Sequence, residues 1–86
     1  MVNRFTNINT FRALLTEGRP FPETVKYLLA CEGHDVTKVA KQTHLSLAAV
    51  SLTIHGKRKI RDAYDKICNI LEFDPWATAR EMGIYQ

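Results

Sequence analysis

The sequence predicts an all-α fold, a compact bundle of five or six short helices. Two observations point there. Apolar residues recur at helical spacing in one segment after another, most clearly at Ile60, Ala63, Tyr64, Ile67, Cys68, Ile70 and Leu71. No segment alternates apolar and polar residues as a half-buried strand would, and there is no repeat or low-complexity tract. The chain has 86 residues, 45% of them apolar, enough for one core and one domain spanning 1–86.

The elements follow from caps and stops. Residues 1–9 are polar and poorly patterned, with Phe5 and Ile8 the only large apolar candidates for packing. Asn9 or Thr10 caps a first helix reaching Glu17, its apolar face made by Phe11, Leu14 and Leu15, with Gly18 as its stop. Pro20 and Pro22 mark a connector, and Pro22 suits the first turn of the next helix. Val25, Leu28 and Leu29 form that helix's stripe, and Gly33 ends it. Asp35 caps a third helix with Val39, Ala40 and Thr43 inward and Lys38, Lys41 and Gln42 outward. His44-Leu45-Ser46 makes a turn, Ser46 caps a fourth helix through the N–H of Ala49, and Gly56 closes it. The fifth helix is expected over 59–72. Asp74-Pro75 then caps a last short helix holding Trp76, Ala79 and Arg80 and ending at Gly83.

Charge is modest in sum and uneven in place. The net charge is +3. Residues 33–61 hold six Lys/Arg against one acid, and all three histidines, whereas residues 62–86 hold two Lys/Arg against five acids. A basic middle third is the footprint of a phosphate-binding face, or simply a solvated one. No apolar run reaches the ~20 residues of a membrane span, and the N-terminal stretch lacks a signal peptide's apolar core. A soluble protein of the bacterial cytoplasm, native or phage-infected, is the expectation. Cys31 and Cys68 read as reduced, buried thiols on apolar faces; Cys31 and His34 stand at a metal-ligand spacing, but no second pair accompanies them, so no metal and no cofactor is expected.

The segment 35–56 reads as two short helices around a tight turn, a helix-turn-helix. Ala40 in the first helix, Leu45 in the turn, Ser46 as cap, Val50-Ser51, Gly56-Lys57-Arg58 and the closing Leu71-Glu72-Phe73-Asp74-Pro75 resemble the Cro/phage-repressor type of DNA-binding protein. The match covers about half of the chain strictly, or two thirds if Val25 to Cys31 is its opening helix. The small Ala40 lets the two helices approach, and Val39, Leu45 and Val50 fill the space between them. The chain departs from the pattern at His44, where the family usually has glycine, and at Thr43 and Thr53, where larger apolar groups are usual. Histidine tolerates a positive φ better than most residues, and each threonine can bond to the carbonyl one turn back.

The resemblance implies a second helix in the major groove of double-stranded DNA. Its base-facing residues are then Leu47, Ala48, Ser51, Leu52 and His55. None is Gln, Asn or Arg, so bidentate base readout is missing, and selectivity falls to thymine-methyl contacts, Ser51, His55 and DNA shape. Leu47 and Leu52 remain open to a second reading, as core or as a protein interface. His55 is also a plausible helix-end residue. Thr37, Lys38, Lys41, Ser46, Lys57, Arg58, Lys59 and Arg61 are the candidate phosphate contacts.

No Ser-His-Asp order, paired carboxylates or glycine-rich phosphate loop supports catalysis, so the protein is not expected to be an enzyme. The leading expectation is a small transcriptional regulator, a phage-type repressor of the Cro or Ner kind, acting as a homodimer. The apolar residues of the tail 74–86 and just before it, Phe73, Trp76, Met82, Ile84 and Tyr85, are the candidate dimer contacts. Two other readings stay open: a protein-interaction module such as an antitoxin or adaptor, and an excisionase-like architectural protein.

Overall fold

The computed structural model describes residues 4–84, with side chains described for 6–84. Among these residues the protein is all-helical: α1 (Arg4–Thr16), α2 (Phe21–Cys31), α3 (Val36–Thr43), α4 (Leu47–Ile54), α5 (Arg61–Leu71) and α6 (Pro75–Glu81). No described helix is long and apolar enough to cross a membrane.

Three helix starts and the end of α4 fall where single residues dictate them. Asp35 accepts from the Lys38 N–H at 2.8 Å, Ser46 from the Ala49 N–H at 3.1 Å and Asp74 from the Ala77 N–H at 3.0 Å. Each side-chain oxygen satisfies one of the helix's unpaired amides. α4 closes at Gly56, φ 73°. There Lys57 N–H bonds to the Leu52 carbonyl at 3.0 Å, and Gly56 N–H to that of Thr53 at 3.1 Å. This paired closure needs a left-handed residue.

The first helix corrects the expectation most. It begins at Arg4 rather than near Thr10. The added turn carries Asn7, which is 1% exposed, into a cross-link. Its Nδ2 donates to Glu32 Oε2 and to the Leu71 carbonyl, each at 3.0 Å. The residue thereby ties α1 to the C-terminal ends of α2 and α5. Ile8 is half-buried; the side chain of Phe5 lies outside the described residues.

Five aromatic rings run through the core and join four helices. Phe73 meets Phe11 at 5.2 Å, Phe11 meets Phe21 at 5.9 Å, Phe21 meets Trp76 at 6.0 Å, and Trp76 stacks on Tyr64 at 4.4 Å. Edge-to-face and offset pairs at such distances add to what burial alone contributes. Around them pack Val25, Leu28, Leu29, Val39, Val50, Ile54, Ile67 and Leu71.

This core absorbs most of the expected dimer surface. Trp76 is 2% exposed, and Phe73 and Met82 pack against the core. α6 folds back over α1, so Trp76 is covered by its own chain and Phe73 and Met82 partly so. Ile84 is exposed, and Tyr85 lies outside the described residues. Cys31 is a second correction: it is exposed, while Cys68 is half-buried, and both are free thiols.

Candidate functional site

α3 and α4, eight residues each, pack against one another across the turn 44–46. His44 makes that turn with φ 60° and ψ 33°. The Leu45 N–H bonds to the Ala40 carbonyl at 3.0 Å and the His44 N–H to that of Lys41 at 3.4 Å. It is the closure seen at Gly56, built on a residue with a Cβ. The interior of the pair is Val39, Ala40 and Val50, with Leu45 half-buried beside them.

The two threonines do more than fill space. Thr43 donates to the Val39 carbonyl at 2.7 Å. Thr53, 1% exposed, donates to the Ala49 carbonyl at 3.0 Å and accepts from the Ile60 N–H at 3.4 Å. Its own carbonyl accepts from Trp76 Nε1 at 3.2 Å. One polar residue therefore fastens α4 to the start of α5 and to α6. The sequence pointed to the bond one turn back, to Ala49, but not to the links with Ile60 and Trp76.

α4 is divided lengthwise. Val50, Thr53 and Ile54 are buried. On the other side Leu47 is 53% and Leu52 37% exposed, Ala48 and His55 are exposed, and Ser51 is half-buried. The five residues singled out from the sequence thus share one accessible face. His55 Nδ1 lies 2.9 Å from the Ser51 carbonyl. A carbonyl only accepts, so Nδ1 carries the proton in this bond and Nε2 is left for other partners. Neutral, Nε2 accepts; only the imidazolium donates from it, as a phosphate or guanine contact requires.

The cations frame this face unequally. Thr37, Lys41, Ser46, Lys57, Arg58, Lys59 and Arg61 are all exposed. Lys38 is exposed too, but its Nζ donates to the Gly33 carbonyl at 2.9 Å, so it helps close α2. Lys59 Nζ sits 4.5 Å above the Tyr64 ring, a cation–π contact. Tyr64 donates its hydroxyl proton to Asp74. Burial, together with that carboxylate, pushes the Tyr64 phenol up to about 12, so it stays neutral at physiological pH. Behind Lys59 lies a notch of about 90 Å³ lined by Arg58, Lys59, Tyr64, Trp76 and, from α6, Arg80. Arg80 escaped the sequence reading because it stands in an acidic stretch, 19 residues beyond Arg61.

Compared with protein-family models, with curated proteins and with solved structures, the chain matches none.

Proposed function

We propose that the protein is a helix-turn-helix DNA-binding regulator of the Cro/phage-repressor type that lays α4 in the major groove. One observation carries this reading. α4 buries Val50 and Ile54 but leaves Leu47, Ala48, Leu52 and His55 outward, with exposed Lys41 before it in the chain and exposed Lys57, Arg58, Lys59 and Arg61 after it. A single helix fits a groove ~12 Å wide, with the flanking cations meeting phosphates. The outward side chains are mostly apolar. Base discrimination then rests on thymine methyls, Ser51 and duplex shape, and on few hydrogen bonds. A homodimer would set two α4 helices about 34 Å apart; of the tail, Ile84 is exposed and available for it.

Fluorescence anisotropy with a labelled random duplex tests this. The log of affinity should fall linearly with log salt, and Lys57→Ala with Arg58→Ala should flatten the slope by about 0.9 per lost phosphate contact. Selection of bound fragments from random duplex then gives the operator and any half-site spacing.

The exposed Leu47 and Leu52 support a second reading, a protein-interaction module on the same fold. It requires no affinity for duplex, or binding to a partner that salt leaves unchanged.

A further inference from the structure

The notch behind Lys59 has features that α4 does not explain. Three cations from two separate parts of the chain converge on it. Arg58 and Lys59 come from the loop after α4, and Arg80 from the last turn of α6. Among the described residues no acidic side chain lines it. The nearby carboxylate, Asp74, is already engaged: one oxygen accepts from Tyr64, the other from the Ala77 N–H at 3.0 Å.

The walls are rigid. Tyr64 and Trp76 stack with 20° between their planes. Trp76 is pinned to the Thr53 carbonyl, and Lys59 is held over the Tyr64 ring. Arg80 lines the same notch as Tyr64. A lysine held in this way loses less freedom on meeting an anion than a free surface side chain does.

Size and charge select the ligand. About 90 Å³ is room for a few waters or one group of phosphate size. Pockets for small organic ligands start near ~300 Å³. Arg80 is also one of only two cations among residues 62–86, against five acids. The fold sets it beside the basic loop.

We infer that Arg58, Lys59 and Arg80 together hold one backbone phosphate of the bound duplex, so that α6 belongs to the DNA interface and not only to the scaffold. The inference rests on the DNA-binding reading above. The notch opens beside Gly56, at the C-terminal end of α4. A phosphate seated there fixes how far α4 enters the groove, and the bonds of Thr53 to α5 and α6 keep the anchor and the reading helix in register.

The experiment compares the wild type with Arg80→Ala and Arg80→Lys on a random duplex of about 20 base pairs across a salt series. Thermal melting of each variant is read alongside. Arg80→Ala should weaken binding about three- to tenfold near ~0.1 M salt and lower the salt slope by about 0.9, the value of one phosphate. Arg80→Lys should restore most of both, with melting unchanged. A wild type that ignores duplex overturns the DNA reading itself. A wild type that binds with a steep slope, matched by an unaltered Arg80→Ala, leaves that reading standing and overturns this inference. So does a loss of binding that comes with lowered melting of Arg80→Ala, because it assigns Arg80 to the scaffold. Titration with inorganic phosphate alone is the last arm: saturation abolished by Arg80→Ala, with an unchanged duplex slope, would make the notch a free-phosphate site and overturn the duplex anchor.

Discussion

α4 and α6 are both short, and a side-chain oxygen three residues before the bonded amide caps each one. Their sequences invert what their surroundings suggest. α4, LAAVSLTI, carries no charge at all, yet it leaves two leucines exposed. α6, PWATARE, carries two charged residues and buries Pro75, Trp76, Thr78 and Ala79. Hydrophobicity alone therefore does not decide which surface is covered. Trp76 is buried because α6 folds against α1 and hands its indole N–H to the Thr53 carbonyl. Leu47 and Leu52 are exposed because the buried side of α4 is already complete with Val50, Thr53 and Ile54. An apolar surface the fold does not need is where a partner is to be sought.

Mutation separates the two helices most sharply at Trp76. Trp76→Ala should cost about 3–5 kcal/mol in urea unfolding. Such a domain is stabilised by roughly 4–13 kcal/mol in total, so the variant should sit near its unfolding threshold. Three neighbours lose contact at once: the Tyr64 stack, the Phe21 ring and the Thr53 carbonyl. Trp76→Phe keeps most of the packing and isolates the N–H bond, at about 1 kcal/mol. If Trp76→Ala were nearly neutral, α6 would be a loosely attached arm and the contrast with α4 would collapse.

Thr53→Val comes next. Shape is kept, but the part-buried Ile60 N–H loses its acceptor, which should cost about 1 kcal/mol. The rate of exchange of the Ile60 amide should rise in the same variant. Unchanged stability would mean that Thr53 only fills space, as an apolar residue would.

The His44 turn shows what the sequence made legible. Caps at Asp35, Ser46 and Asp74, the glycine stops and the left-handed histidine were readable because each is decided by one residue and its near neighbours. His44→Gly should raise stability by up to about 1 kcal/mol, since glycine avoids the Cβ strain at φ 60°. The start of α1 was not readable. Asn7 earns its place through partners 25 and 64 residues away, and no local pattern announces such contacts. The same holds for Phe73, Trp76 and Met82: their composition marks them for burial, but whether against their own chain or a second copy is settled by tertiary packing. Of the candidate site, the face of α4 came from the family resemblance and the basic loop 57–59 from the run of charge. The convergence of Arg80 on that loop could not be read, because it depends on where α6 folds.

The smallest expected effect on stability carries the most weight for function. Leu47→Ala removes a side chain that is 53% exposed, and a substitution at such a position usually changes stability by no more than about 0.5 kcal/mol. Binding should respond differently from folding. If Leu47 meets a thymine methyl, Leu47→Ala should weaken the selected operator while leaving a random duplex almost untouched, because the phosphate contacts that dominate non-specific affinity are unchanged. An equal loss on both would place Leu47 outside base readout. A stability loss of more than about 1 kcal/mol would do something else: it would show that the outward face of α4 is held by the fold after all, and the leucines would no longer mark a surface kept for a partner.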